Sequence, residues 1–133
     1  MQTFLPYADF SQSMSVLDQK RLGNQIWREG ITLLRGGWIN HPASKMWRGY
    51  QDALAQYLHV GVIELRNRGY DHWHKPWAEE IRSFNIEDPE LPHWLGDEKF
   101  HASHRSNLLR KDFEWYSRFG WVESTDLEYM WPE

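Results

Sequence analysis

The sequence predicts an all-α protein of four to five helices, and three observations support this prediction. Apolar residues recur at helical spacing over long stretches, most clearly from Met46 to Leu65. No stretch of convincing length alternates apolar and polar residues as a half-buried strand does, and no repeat is present. The length of 133 residues predicts a single domain, 1–133, with an extended arm at 1–8 and a loosely packed tail at 122–133.

The first predicted helix follows the arm. Asp9 or Ser11 can cap its start, and Gly36-Gly37 ends it after about Arg35. One face of this helix is apolar and should meet the core. The opposite face is rich in groups that can bind or catalyse, although a solvated face is the commoner explanation for such a pattern. These polar residues are Asp18, Arg21, Gln25, Arg28, Glu29 and Thr32.

The second predicted helix carries the clearest helical pattern. Pro42 is a favourable first helical residue, with Asn40 or His41 as its cap, and the apolar spacing continues to Gly69. The middle of this helix reads as core. Its start contains a compact basic and aromatic group, formed by Lys45, Trp47 and Arg48.

The remaining elements alternate with loops. Residues 70–75 are predicted to be a loop, and Pro76 opens a short helix to about Phe84. Residues 85–92 are acidic and interrupted by prolines, which is typical of a surface loop. Asp97 should cap the helix that follows. A short aromatic turn then runs from Asp112 or Phe113 to about Gly120.

The net charge of −4 argues against a general nucleic-acid coat protein, but the charge is unevenly placed. Residues 1–75 hold nine Lys/Arg and six Asp/Glu, whereas 76–133 hold six and thirteen. Within the acidic half, 101–111 contain three basic side chains and no acid. This stretch leads into a cluster of aromatic residues, and basic groups beside aromatic planes suit a phosphate backbone with an unstacked base.

Several site classes are disfavoured by the residues. The chain has no cysteine, which excludes disulfides and thiolate metal sites. His72-x-His74 and His101-x-x-His104 lack the partners of a known metal motif, and no P-loop or GxSxG sequence occurs. The N-terminus lacks the pattern of a signal peptide, and no apolar run is long enough for a membrane span. We therefore expect a soluble cytoplasmic protein without metal or cofactor.

A carboxylate and an amine form the more informative combination. Glu29 lies on the first helix, which could bring it near the N-terminal arm. An α-amino group ordinarily has a pKa of about 7.7–8.0, so it is available as a nucleophile near neutral pH more readily than a lysine. A nearby carboxylate can stabilise developing positive charge or shuttle protons. From spacing alone, Glu29 could equally be a surface ion-pair residue.

Three motifs carry a resemblance to a known family. The runs LDQKRLGNQIWRE (17–29), GWINHPASKMWRGY (37–50) and SHRSNLLRKDFEWY (103–116) resemble the pyrimidine-dimer DNA glycosylase family, the family of phage endonuclease V. The resemblance is to its divergent bacterial and phage branch and covers roughly residues 1–121. It implies a compact all-α fold that binds damaged duplex DNA and flips a base out of the stack.

The resemblance also implies a mechanism. An N-terminal α-amine attacks C1′ of the damaged nucleotide, a Schiff base forms, and β-elimination cleaves the strand. The essential glutamate of the first helix matches Glu29, its arginine neighbour matches Arg28, and Lys20 or Arg21 matches a basic position there. Trp115-Tyr116 matches an aromatic pair. The chain departs from the family at its start: Gln2 favours retention of Met1, so the amine would belong to Met1 rather than to a threonine.

Together these observations predict a DNA-repair glycosylase, with possible AP-lyase activity, acting on damaged or modified pyrimidines of double-stranded DNA as a monomer. Glu29 and Met1 are the expected catalytic groups. Two alternatives stay open: a non-catalytic binder of distorted or modified DNA, and an enzyme that acts on a free nucleotide or another phosphorylated small molecule. The residues expected to contact phosphates or to line a pocket for an extruded nucleotide are Arg21, Arg28, Lys45, Arg48, His101, His104, Arg105, Lys111 and Trp115.

Overall fold

Helices dominate the computed structural model, which describes residues 1–70 and 75–132, and the predicted all-α class is confirmed: no strand occurs in these two ranges. The helical segments outnumber the four to five predicted. In chain order they are α1 (Phe10–Val16), α2 (Gln19–Asn24), a π-helical segment (Gln25–Gly30), α3 (Ile31–Leu34), α4 (Pro42–Trp47), α5 (Gln51–Asn67), α6 (Lys75–Arg82), α7 (Glu98–Lys111), α8 (Phe113–Tyr116) and a 3-10 turn (Ser117–Phe119).

The extra segments arise because both long predicted helices are interrupted. Leu17 takes an extended conformation, with ψ of 136°, and the Asp18 carboxylate accepts a hydrogen bond from the backbone N–H of Arg21 to start α2. Gly49 has φ of +86°, a left-handed conformation that separates α4 from α5. The predictions of continuous helices across these points were therefore wrong, whereas the predicted caps Asp9 and Asp97 are confirmed.

Helix α5 lies at the centre and contacts α1, α6 and the π-helical segment. Two glycines permit this close approach. A Cβ atom at Gly61 would lie 2.8 Å from Ile26 Cδ1, and one at Gly30 would lie 2.1 Å from Leu58 Cδ2. The π-helical segment is thus pressed directly against the core helix, and this contact fixes the position of the side chains on its outer face.

The N-terminal arm runs through the interior rather than over the surface. Its buried backbone finds hydrogen-bond partners in side chains, as buried amides must. The N–H of Phe4 donates to Gln25 Oε1 at 2.6 Å, and the N–H of Leu5 donates to His104 Nδ1 at 2.9 Å. His101 Nδ1 lies 2.7 Å from the Leu5 carbonyl oxygen. The arm is therefore held in one register by the first helical region and by α7.

The tail after residue 121 is mostly exposed, yet side chains of α7 fasten it. Ser106 Oγ donates to the Ser124 carbonyl at 2.5 Å and accepts from the N–H of Leu127 at 3.0 Å. Ser103 Oγ accepts from the N–H of Met130 at 3.1 Å. These bonds bring the aromatic end of the tail beside the N-terminal arm.

Two further predictions concern membranes and histidines. Across the described residues, no helix has the length and apolar character needed to cross a bilayer. The predicted loop at 70–75 and the pair His72 and His74 fall largely or wholly outside the described residues.

Candidate active site

A cleft of about 240 Å³ opens where the chain start meets the first helical region, the end of α7 and the tail. Four of the predicted catalytic and binding residues, Met1, Arg21, Glu29 and Lys111, come together here from distant parts of the chain. Its lining consists of Met1, Gln2, Phe4, Arg21, Asn24, Gln25, Glu29, Lys111 and Tyr129.

Glu29 is placed in the cleft by the π-helical segment, a rare geometry that is frequent at functional sites. Its side chain is 17% exposed, and Oε1 lies 3.9 Å from Arg28 Nε. Its other oxygen, Oε2, is buried and has no hydrogen-bond partner in the described part of the chain. An unsatisfied carboxylate oxygen costs free energy, so this atom is ready to accept a proton or a positively charged group.

The arm holds the chain terminus at the same cleft. The N–H of Thr3 donates to Gln2 Oε1 at 2.9 Å, and Gln25 Nε2 donates to the Gln2 carbonyl at 2.7 Å. Trp47 Nε1 donates to Thr3 Oγ1 at 3.0 Å. With residues 2–5 fixed in this way, Met1, which carries the α-amine, lines the cleft. Its positive charge is felt at His41, whose pKa is lowered by burial and by that charge.

Arg21 is the cationic group of the cleft on α2, and a chain of hydrogen bonds orients it. Its Nη1 lies 3.2 Å from Asp18 Oδ1. The Tyr116 hydroxyl donates to the same carboxylate and accepts from the N–H of Asp18 at 3.1 Å. Burial and the bond to Asp18 raise the pKa of Tyr116, so its hydroxyl keeps the proton that it donates. Arg21 is thus anchored from the core through Asp18.

Tyr129 forms the wall of the cleft that comes from the tail. Its ring lies 6.4 Å from the ring of Phe4 and 5.7 Å from that of His104. Burial raises the pKa of Tyr129 to about 12, so the phenol stays protonated at neutral pH. Tyr129 was not among the predicted site residues, because nothing in an acidic tail indicates that the tail returns to the chain start. Gln25 lies on the polar face of the first predicted helix, and that position indicated that it could reach the site.

The two histidines and the arginine of α7 occupy the interior, away from the lining of this cleft. His101 and His104 hold the arm, as described above, and both are at least 98% buried. Burial and neighbouring His101 lower the pKa of His104 to about 3, so it is neutral. Arg105 donates to the Pro6 carbonyl at 2.7 Å and binds the carboxylates of Glu98 and Glu123. The sequence predicted that these three face DNA or an extruded nucleotide, whereas their hydrogen bonds go to other parts of the protein. His104 Nε2 is buried without a hydrogen-bond partner among the described residues.

The other predicted binding residues lie on the surface or at a helix junction. The Arg28 side chain is 77% exposed. Lys45 and Arg48 are exposed on and just after α4, where Arg48 Nη2 donates to the Ile39 carbonyl at 2.8 Å. Trp115 is half-buried, with Nε1 donating to the Val16 carbonyl at 2.8 Å and the Arg118 guanidinium 4.0 Å from its ring centre.

A metal site has no support in residues 1–70 and 75–132, where no group of three or more His, Asp or Glu side chains is placed to hold an ion. The cleft instead offers an amine, a carboxylate and two cations. That set suits binding of a phosphate-bearing substrate and covalent or proton-transfer chemistry at an adjacent carbon.

A comparison with known protein families identifies a related family. The family model described as pyrimidine dimer DNA glycosylase matches residues 1–77, which include the amine and the carboxylate of the cleft. No curated protein and no solved structure gives a significant match. Since the matched region is more than half of the 133 residues, the chain belongs to the pyrimidine dimer DNA glycosylase family.

Proposed function

We propose that this protein is a DNA glycosylase with AP-lyase activity that acts on damaged or modified pyrimidines in double-stranded DNA. The observation that carries the proposal is the shared cleft: Met1, Glu29 and Arg21 line one opening of about 240 Å³. An extruded nucleotide would enter this opening, because its C1′ atom is not accessible to an amine inside a stacked duplex.

The proposed covalent step uses the α-amine of Met1. The neutral amine attacks C1′, the bond from C1′ to the base nitrogen breaks, and the base leaves with the electron pair and takes up a proton. The amine then loses a proton, the C1′–O4′ bond breaks, and O4′ keeps the electron pair and takes up a proton. The opened sugar is thereby joined to Met1 through a protonated Schiff base at C1′. Removal of a proton from C2′ then expels the 3′ phosphate by β-elimination.

Glu29 is the proposed proton carrier and electrostatic partner in these steps. Its buried Oε2 has no hydrogen-bond partner in the described residues, so it can accept a proton from the attacking amine or stabilise the cationic Schiff base. Burial strengthens both effects, because the dielectric constant around a half-closed cleft is lower than that of water.

Phosphate binding is assigned to the cations at and around the cleft. Arg21 and Lys111 lie in its lining, and Arg28 projects from the adjoining helix surface. Lys45 and Arg48 extend the cationic surface along α4. Arg105 and the two histidines of α7 are assigned to holding the arm and the tail, and Trp115 to packing α8 against the end of α1.

Borohydride trapping on duplex DNA with one abasic site tests the proposal. We expect a covalent adduct with the wild-type chain and at least about a 100-fold slower adduct formation with Glu29→Gln, the usual scale of general acid–base catalysis. Glu79→Gln, an exposed glutamate on α6, is the matched control and should react like wild type.

A second variant tests the nucleophile itself. A Gly-Ser extension before Met1 displaces the free amine by about 7 Å, so trapping should be lost while DNA binding persists. If both the extended chain and Glu29→Gln form the adduct at the wild-type rate, the proposed mechanism is wrong. Salt-dependent binding of damaged duplex without adduct or base release would favour the binding module, and nucleotide binding without DNA affinity would favour an enzyme on a small phosphorylated substrate.

A further inference from the structure

The loop between α3 and α4 carries two apolar side chains that the core does not use. Trp38 is 60% exposed and Ile39 is 63% exposed. Trp38 also has φ of +56°, a left-handed conformation that is a true outlier for a bulky residue. Neither burial nor backbone preference explains a tryptophan at this position, and such outliers are concentrated at functional sites.

Hydrogen bonds hold the backbone of this loop, so the positions of Trp38 and Ile39 are fixed. The N–H of Gly37 donates to the Thr32 carbonyl at 2.9 Å, and the N–H of His41 donates to the Trp38 carbonyl at 2.8 Å. The Arg48 guanidinium donates to the Ile39 carbonyl at 2.8 Å. Both peptides that carry the apolar side chains are therefore fastened to neighbouring elements.

The loop adjoins the proposed active site through His41. The Trp38 ring packs edge-on against His41 at 6.4 Å, and His41 packs against Trp131 of the tail at 5.7 Å. Trp131 in turn contacts Tyr129, which lines the cleft, at 5.8 Å. The charge of the Met1 amine also reaches His41. Three successive ring contacts therefore connect Trp38 to Tyr129 in the lining of the cleft.

The surroundings of the loop favour an anionic partner. Residues 35–50 contain three Lys/Arg and no Asp/Glu, in a chain of net charge −4, and one of the three, Arg35, pairs with Glu80 of α6. Lys45 and Arg48 are both exposed beside the loop. Apolar side chains flanked by cations are the combination with which proteins enter the base stack while holding the backbone.

We propose that Trp38 and Ile39 form a wedge that inserts into the DNA base stack beside the damaged nucleotide and holds the duplex open while that nucleotide occupies the cleft. This inference rests on the proposed function, since it takes duplex DNA as the partner. Insertion costs free energy for each unstacked base step, and stacking of an indole on a base offsets part of that cost.

The test uses Trp38→Gly and Ile39→Ala, singly and together. Glycine accepts positive φ without strain, so Trp38→Gly should fold at least as well as wild type, which urea unfolding verifies. The probe is a duplex with a tetrahydrofuran abasic analogue and a neighbouring 2-aminopurine, whose fluorescence rises on unstacking. We expect wild type to raise it, and the double variant to lose most of that rise. Ile63→Ala, an exposed isoleucine on α5, is the matched control.

A second readout separates wedge failure from failure of the proposed function. Borohydride trapping by the double variant should slow about tenfold on a fully paired abasic duplex and recover on a duplex already opened by flanking mismatches. Equal fluorescence and trapping rates in wild type and double variant would overturn the wedge alone. Wild type that neither binds nor traps either DNA would overturn the proposed function and the wedge with it.

Discussion

Two helical regions of this protein are rich in polar side chains, and they use them in opposite ways. The first, α2 with the π-helical segment, turns Arg21 and Glu29 toward an open cleft. The second, α7, turns His101, His104 and Arg105 inward onto backbone and carboxylate groups. Both look like polar helix faces in sequence, but one is available to a substrate and the other is already occupied by the protein.

The difference follows from what each helix packs against. The π-helical segment packs its apolar residues against α5, and Arg28 and Glu29 lie on its outer side. Helix α7 packs against the N-terminal arm, an extended segment whose buried amides and carbonyls need partners. Polar side chains of α7 supply those partners. Helix α7 thus holds the N-terminal arm, and this arm carries the amine that would react beside Arg21 and Glu29 of the first region.

The largest expected effect comes from breaking the inward network. Arg105→Met leaves Glu123 and the Pro6 carbonyl without their donor, and removal of one partner from a buried ion pair costs about 3 kcal/mol. We expect the free energy of unfolding, measured in urea, to fall by that amount. Arg66→Met, an exposed arginine on α5, should change it by less than about 0.5 kcal/mol. Equal losses in the two variants would contradict a structural role for Arg105.

A pH dependence should follow from the same region. The pKa of His104 is about 3 when folded, below the ordinary value of 6.5 that applies when unfolded. Between these values the unfolded chain binds a proton that the folded chain does not, so stability falls as the pH decreases below 6.5. From pH 7 to pH 5 this residue should remove about 2 kcal/mol of the free energy of unfolding.

His104→Asn isolates that contribution. Asparagine keeps an acceptor for the N–H of Leu5 but does not titrate, so the loss of stability between pH 7 and pH 5 should shrink by about 2 kcal/mol even though the variant is less stable overall. Ser117→Ala, at an exposed side chain that does not titrate, is the control and should retain the wild-type pH slope. An unchanged slope in His104→Asn would show that this histidine does not carry the effect.

A smaller effect is expected where α7 fastens the tail. Ser106→Ala removes one donor and one acceptor from the tail backbone, which should cost about 1–2 kcal/mol of the free energy of unfolding and expose the tail to protease. Ser117→Ala, at an exposed site, should leave both unchanged. If the tail is cleaved at the same rate in both variants, its attachment depends on other contacts.

The sequence predicted the fold class, and the approach of Glu29 to the N-terminal arm, better than the placement of the α7 side chains. Helical spacing, Asp9 and Asp97 as caps, and the glycine stops are local features, so a single sequence can reveal them. The break at Leu17 was not predictable, because Tyr116, some one hundred residues later, binds Asp18 and stabilises the start of α2. Long-range hydrogen bonds leave no trace in local spacing.

Long-range contacts also explain why the inward placement of the α7 side chains could not be predicted. A helix with two histidines and several cations has the same pattern whether its partner is DNA, water or a buried peptide. Only the position of the arm decides between them, and the arm is placed by contacts from Gln25 and Trp47 as well as from α7. The expected amine and carboxylate both reach the cleft lining, whereas Tyr129 arrives from a tail that carried no signal.

Replacement of Lys111 should have the smallest effect on stability, and it tests the comparison of the two regions most directly. Lys111 is the residue of α7 that reaches the cleft lining. Lys111→Ala should change the free energy of unfolding by less than about 0.5 kcal/mol but lower the salt dependence of DNA binding by about one unit of slope. Lys99→Ala, at the opposite end of the same helix, should alter neither. If the two lysines behave alike in binding measured across salt concentrations, the outward surface does not include the end of α7, and DNA is held by the first region without it.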